Sequence, residues 1–194
     1  ISAAEASGVE KIIFASSAAV YGDCEVIPIS EGAPLTPQSP YAVSKIVGEE
    51  LLLRSKIETC SLRFFNVYGP GQSSEGGYAA VIPAFKKAIS LGKECTIFGD
   101  GTQVRDFIHV RDLVRIIGLC LDTEVLPGEM NVASGTGISL LELVGTLNDL
   151  NPEMHPPLFA EERAGDIHTS VADISLLLST LPVGEIITLK EGLS

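Results

Sequence analysis

Short apolar runs alternate with helix-forming stretches along this chain, and that alternation limits the fold more than any other feature. The run K-I-I-F-A-S at 11–16 lacks polar alternation, so it reads as a strand buried on both faces. T-C-S-L-R-F-F-N at 59–66 reads the same way, E-C-T-I-F near 94–98 as a further strand, and 129–133 as another. Residues 105–110 are expected to be extended, and 170–172 to form a short strand. Between them lie helix signals: residues 1–7 ended by Gly8, a helix opened by Ser39 and Pro40, stretches near 80–91 and 112–121, and a capping box Ser139-x-x-Glu142 opening a helix to about 150. A helix over 174–181 and a last turn from Thr188 complete the series. In the helix after Pro40, the spacing of Val43, Val47 and Leu51 predicts its buried stripe. Residues 22–38, the stretch from Gly69 through Gly76 and Gly77, and the Pro-rich 151–166 read as loops. Buried strands alternating with helices predict an α/β protein with a parallel sheet.

Composition narrows the partners. The chain's 194 residues suit one domain or one and a half, and 45% hydrophobic content lets it bury a sizeable core. Thirteen basic against 25 acidic residues give a formal charge of −12, which argues against nucleic acid and anionic lipid as partners. It leaves room for a small anionic ligand, because a few arginines in a cleft suffice. Cys24, Cys60, Cys95 and Cys120 lie far apart with no metal-binding spacing, and they read as reduced core residues of a cytoplasmic protein. No apolar run reaches membrane-spanning length and no signal peptide opens the chain. The first residues read as the end of a helix already under way.

The chemistry centres on Ser39-Pro40-Tyr41-Ala42-Val43-Ser44-Lys45. Tyr41 and Lys45 are four residues apart, so on a helix they share a face. An ammonium beside a phenol favours the phenolate, which makes a proton acceptor. Taken alone, the pair reads more readily as an amphipathic helix with a snorkelling lysine. Three patterns surround it. Phe14 to Gly22 (F-A-S-S-A-A-V-Y-G) puts serines at the carboxyl end of a buried strand, where open α/β sheets hold ligands. Arg63 to Gly71 (R-F-F-N-V-Y-G-P-G) places Asn66 and a turn at the end of the next strand. Phe98 to Val110 is a glycine turn followed by Arg105, a natural fork for phosphate. A surface ion pair of Arg105 with Asp106 or Asp112 is the competing reading, and Arg163 beside Glu161 and Glu162 could pair locally. His109 reads as structural.

In this order and spacing the patterns resemble the extended short-chain dehydrogenase/reductases, specifically the NAD-dependent sugar-nucleotide epimerase/dehydratase group, nearest its UDP-glucose 4-epimerases. The resemblance covers nearly the whole chain. It implies the C-terminal part of a Rossmann-type doubly wound parallel sheet plus a small α/β substrate-binding subdomain. Residues 1–78 would be the partial NAD-binding domain with the Tyr/Lys helix, and 79–194 mostly the substrate subdomain, with about 105–135 returning to the first.

Residue by residue, the resemblance implies that Ser17 holds the sugar hydroxyl, that Tyr41 is the general base, and that Lys45 holds the nicotinamide ribose. Phe64, Phe65 and Asn66 would lie by the nicotinamide and the substrate phosphates. Val81 and Thr96 to Phe98 would line the base pocket, Arg105 and Arg163 would clamp the diphosphate, and Asp166 would approach the nucleoside ribose. The implied reaction is epimerisation of a nucleotide-diphosphate sugar at C4 through a transient 4-keto sugar, in a homodimer. Decarboxylation or reduction of a sugar nucleotide, or a non-catalytic sugar-nucleotide-binding remnant, are the alternatives. Where the group's 4,6-dehydratases carry Asp and Glu after the active-site Ser/Thr, this chain has Ala18 and Ala19, which cannot move protons. The group's opening Gly-rich turn for the NAD pyrophosphate is not in this sequence, so NAD affinity is expected to be impaired.

Overall fold

The computed structural model describes residues 1–73, 80–163 and 165–194. The expected loop glycines Gly76 and Gly77, and the expected domain boundary at 78/79, lie outside them. In chain order the elements are α1 (Ser2–Ala6), β1 (Lys11–Ser17), a 3-10 turn (Ala18–Tyr21), α2 (Pro40–Leu53), β2 (Glu58–Phe64), β3 (Asn66–Tyr68), α3 (Val81–Ser90), β4 (Thr96–Phe98) and β5 (Val104–His109). There follow α4 (Val110–Asp122), β6 (Glu129–Val132), β7 (Gly137–Ser139), α5 (Leu140–Leu150), β8 (Leu158–Ala160), β9 (Thr169–Ser170), α6 (Ser175–Thr180) and α7 (Leu189–Leu193).

Local chemistry sets the helix starts. Ser39 accepts from the Ala42 amide at 3.1 Å, with Pro40 at the first helical position of α2. Ser139 and Glu142 exchange both bonds of the capping box at the head of α5. Thr188 and Glu191 do the same for α7. The helix expected from 112 begins two residues earlier, because buried His109 accepts from the Arg111 amide at 3.3 Å and acts as its N-cap.

Three sheets result. β1, β2 and β6 form a parallel sheet in that order. β5 pairs parallel with β3 and β9 but antiparallel with β7. β4 and β8 make a parallel pair. The single strand expected over 59–66 is thus two strands. β2 stays with β6, the chain turns at Phe65, and Asn66 begins a strand whose partner is β5. β7 and β8 fall within stretches read as connections; at three residues each, they are too short to show a period. The strand expected at 170–172 ends at Ser170, and Ala172 instead bridges to Ile29 inside the long 22–38 loop.

The core has three parts. Leu62, Ile108, Ile116, Met130 and Leu177 pack with α4 and α6 on one side of the β1-β2-β6 sheet. Phe85, Ile97, Phe107, Leu143 and Leu147 join α3 and α5 to β4 and β5. Val20, Tyr21, Ile29 and Phe65 close the cluster under the 22–38 loop. Each fully buried side chain of this size contributes roughly 1.5–3 kcal/mol.

The expected buried stripe of α2 is a correction. Val43, Val47 and Leu51 are exposed by 47%, 51% and 53%, whereas Ala42, Glu49 and Leu52 are buried. The helix turns that other face down because Gly48 lets the Phe14 ring approach: a Cβ at position 48 would lie 2.4 Å from Phe14 Cζ. Of the cysteines, Cys60, Cys95 and Cys120 are buried and Cys24 is half-buried, and all four are free thiols. No described helix is long and apolar enough to cross a membrane.

Candidate active site

The carboxyl ends of β1 and β2 and the first turns of α2 gather one group of polar residues. Ser17 ends β1, and its Oγ accepts from the Ala19 amide at 3.2 Å, which orders the 3-10 turn holding Ala18 and Ala19. Tyr41 stands in the first turn of α2 and is 55% exposed. One turn on, Lys45 places its Nζ 5.4 Å from the centre of the Tyr41 ring and 5.3 Å from that of Phe14. The same Nζ donates to the Ala15 carbonyl at 2.8 Å, next but one to Ser17. The lysine therefore lies near both aromatic rings with its charge anchored to the strand that carries Ser17.

Phe64 is half-buried and packs against the core that holds Leu62 and Ile108. Phe65 is 6% exposed and lies 6.4 Å, ring centre to ring centre, from Tyr21. Neither lines the cleft described next, because Phe65 sits at the turn between β2 and β3 and is committed to the core beneath the 22–38 loop.

A cleft of about 240 Å³ opens between β3, α3, β4 and β5. Its walls include Asn66, Val81, Thr96, Phe98, Arg105, Arg163 and Asp166, whereas Ile97, expected beside Thr96 and Phe98, points into the core and Ser17 lies outside the cleft. Arg105 donates through Nη2 to Asp166 Oδ1 at 2.6 Å and through Nη1 to the carbonyls of Val104 and His168 at 2.9 and 3.3 Å. Its partner is thus Asp166, not Asp106 or Asp112. Asp106 accepts from the Ser134, Gly135 and Ala172 amides, and Asp112 binds Arg115. Burial pushes the Asp106 carboxyl up, against the opposing pull of those hydrogen bonds. The Arg163 guanidinium lies over the Phe98 ring, 3.8 Å from its centre, in cation–π contact.

Sequence reasoning missed two features. Gln103, 7% exposed, also lines the cleft; its Nε2 donates to the Phe98 carbonyl at 2.6 Å, which fixes the Phe98 turn. Its Oε1 is buried with no hydrogen-bond partner among the described residues. Its signal was its place between the glycine turn and Arg105. The other is Glu49, a carboxylate at 5% exposure in mid-helix, paired with Arg63 of β2. Only the i, i+4, i+8 series Tyr41, Lys45, Glu49 hinted at it.

The chain is similar in sequence and in structure to known proteins. Residues 1–133 match the model of the NAD dependent epimerase/dehydratase family. The UDP-glucose 4-epimerase of Azospirillum brasilense is 37% identical over 183 residues, covering 82% of this chain and 51% of that protein. Among solved structures, a UDP-N-acetylglucosamine 4-epimerase from Methanobrevibacter ruminantium, in complex with UDP-N-acetylmuramic acid, superposes with a TM-score of 0.91 at 34% identity, over 98% of this chain and 64% of that one. The NAD-dependent NDP-hexosamine 5,6-dehydratase TunA superposes at 0.88 and 30% identity, over 99% and 63%. The chain belongs to the NAD dependent epimerase/dehydratase family, a class built on a Rossmann-like α/β fold. It spans between about half and two thirds of the length of these relatives.

Proposed function

We propose that this chain carries the proton-transfer residues and the nucleotide cleft of an enzyme that epimerises a nucleotide-diphosphate sugar at C4. One observation carries the reading: Asn66, Val81, Thr96, Phe98, Arg105, Arg163 and Asp166, from three strands, a helix and a loop, line one cleft. Two guanidinium groups, an aromatic face and a carboxylate match the diphosphate, base and ribose of a sugar nucleotide. The β1-β2-β6 sheet with α2 would form the cofactor side and the elements around the cleft the substrate side.

NAD, when bound, supplies the acceptor and later the donor of the C4 hydride. The donor set fits its nicotinamide-ribose end, where Lys45 offers an ammonium and Ser17 and Tyr41 offer hydroxyls. Ser17 Oγ would orient the C4 hydroxyl, and Tyr41 Oη would take its proton as the carbonyl forms and return it when the alcohol is restored. Ala18 and Ala19 follow Ser17 and offer no proton-transferring group, which favours epimerisation over elimination of water. The four free thiols fit a reducing compartment such as the cytoplasm. The exposed face of Val43, Val47 and Leu51 would serve as a homodimer contact.

Product analysis on UDP-glucose, UDP-galactose and their uronic and N-acetylated forms tests the reaction. Tyr41→Phe should lower turnover by about a hundredfold or more while the fold is kept. Near-normal turnover in that variant would sink the mechanism.

A further inference from the structure

Residues paired in register project from the same face of a sheet. Ser16 pairs with Arg63, and Arg63 with Asn131, so three polar residues stand in a row across β1, β2 and β6. Their exposures are 2%, 4% and 0%. Such a row inside a parallel sheet is costly unless every group is paired. Here the pairing is nearly complete. Arg63 donates from Nε and Nη2 to the two Glu49 oxygens at 3.1 and 2.7 Å. Its Nη1 donates to Tyr21 Oη at 3.1 Å and to the Glu31 carbonyl at 2.9 Å. Ser16 Oγ donates to Glu49 Oε1. Tyr21 Oη donates to Asn131 Oδ1 at 2.7 Å, and the Asn131 amide donates to Glu31 Oε1 at 2.8 Å.

Glu49 brings α2 into this network. Successive steps of four residues drift by only about 40° around a helix, so Tyr41, Lys45 and Glu49 form one stripe. A forked guanidinium–carboxylate pair fixes orientation as well as distance. Ser16 adds a second tether, one residue before Ser17. We propose that Glu49, gripped by Arg63 and Ser16, is a positioning residue that fixes the roll of α2 and so places Tyr41 and Lys45 over the carboxyl end of β1. The inference rests on the roles of Tyr41 and Lys45 set out above.

The test is Glu49→Gln, which keeps the shape and removes the charge, beside Arg63→Lys, which removes the fork. Both should lower kcat by about tenfold or more, as misplacement of reacting groups does, with KM and UDP affinity within about twofold of the parent. Glu50→Gln, at an exposed neighbouring position, should change neither. Unchanged kcat in Glu49→Gln, or kcat and UDP affinity falling together in step with the folded fraction, would overturn the proposal. Amide hydrogen exchange reads the same idea without turnover. In Glu49→Gln, amides 42–49 should exchange about tenfold faster, while β2 and α4 follow only the global change in stability. Uniform acceleration would overturn the proposal. If Tyr41→Phe keeps its turnover, the functional reading fails, and the exchange pattern still decides whether Glu49 fixes the helix.

Discussion

Arg105 Nη2 lies 2.6 Å from Asp166 Oδ1, so the arginine assigned to a diphosphate and the carboxylate assigned to a ribose hold each other across the cleft. A phosphate entering the cleft must compete with that carboxylate. Arg105→Leu should weaken UDP binding by about 1.5–3 kcal/mol, the usual worth of a charge-assisted bond. Asp166→Asn should have the opposite effect on inorganic pyrophosphate, strengthening it several-fold by freeing the guanidinium. Calorimetric titration of both ligands checks the pair, and pyrophosphate binding unchanged by Asp166→Asn would show that the two do not compete.

Gly48 sits mid-helix, where alanine would ordinarily gain about 1 kcal/mol. The Phe14 ring occupies the space a methyl would need, with Cζ 2.4 Å from the Cβ position. Gly48→Ala should therefore destabilise the protein by about 1–3 kcal/mol through overpacking. Urea unfolding gives the sign, and a stabilised variant would mean that Phe14 yields freely.

Breaking the buried Glu49–Arg63 pair leaves one uncompensated charge. Glu49→Leu should cost about 3–5 kcal/mol. Glu49→Leu with Arg63→Met should cost less than the two single changes added together. The Arg63 guanidinium has burial working against its charge, yet the hydrogen bonds to Glu49 and Tyr21 hold it above its ordinary value. Tyr21 itself is pushed up to about 12 by burial, so it stays a neutral donor to Asn131. A double-mutant cycle in urea checks the coupling, and strict additivity would deny it.

His109 has its pKa lowered below 6.5 by burial, with Asp112 opposing and Arg111 adding to the shift. Its Nδ1 accepts the Arg111 amide, which the charged ring could not do. The unfolded chain binds this proton first, so stability should fall as pH drops below 6.5 and level off once the native ring also charges. His109→Asn keeps a capping side chain without that titration. Its urea midpoint should depend less on pH below 6.5, and an identical slope would assign the effect to other groups.

Val47 and Leu51 face outward on α2 with roughly half their surface exposed. If that face joins two copies, Val47→Arg with Leu51→Arg should give a monomer by sedimentation velocity. A monomeric parent would remove the homodimer from the proposed function.

The chain's α/β class was legible because buried strands and capped helices leave local marks. The Lys11–Ser17 run, the Ser39-Pro40 start and the Ser139/Glu142 box each act within a few residues. Arg105 was legible after its glycine turn, and the family resemblance pointed to the other cleft residues around one sugar nucleotide, although the Arg105–Asp166 pair among them was not legible. What sequence alone misjudged was direction. Val43, Val47 and Leu51 are as apolar as any core stripe, but a helix buries the face its neighbours require. Phe14 under Gly48, and Arg63 reaching Glu49, turned α2 the other way. The turn at Phe65 was hidden for the same reason, since a strand's end depends on which partner strand lies beside it. The sequence by itself determined the helices, the longer strands and the chemical groups. The tertiary structure alone decided which faces are buried, that Arg105 pairs with Asp166, and that a charged residue of the Tyr/Lys helix belongs to the core, because each depends on contacts between residues far apart in the chain.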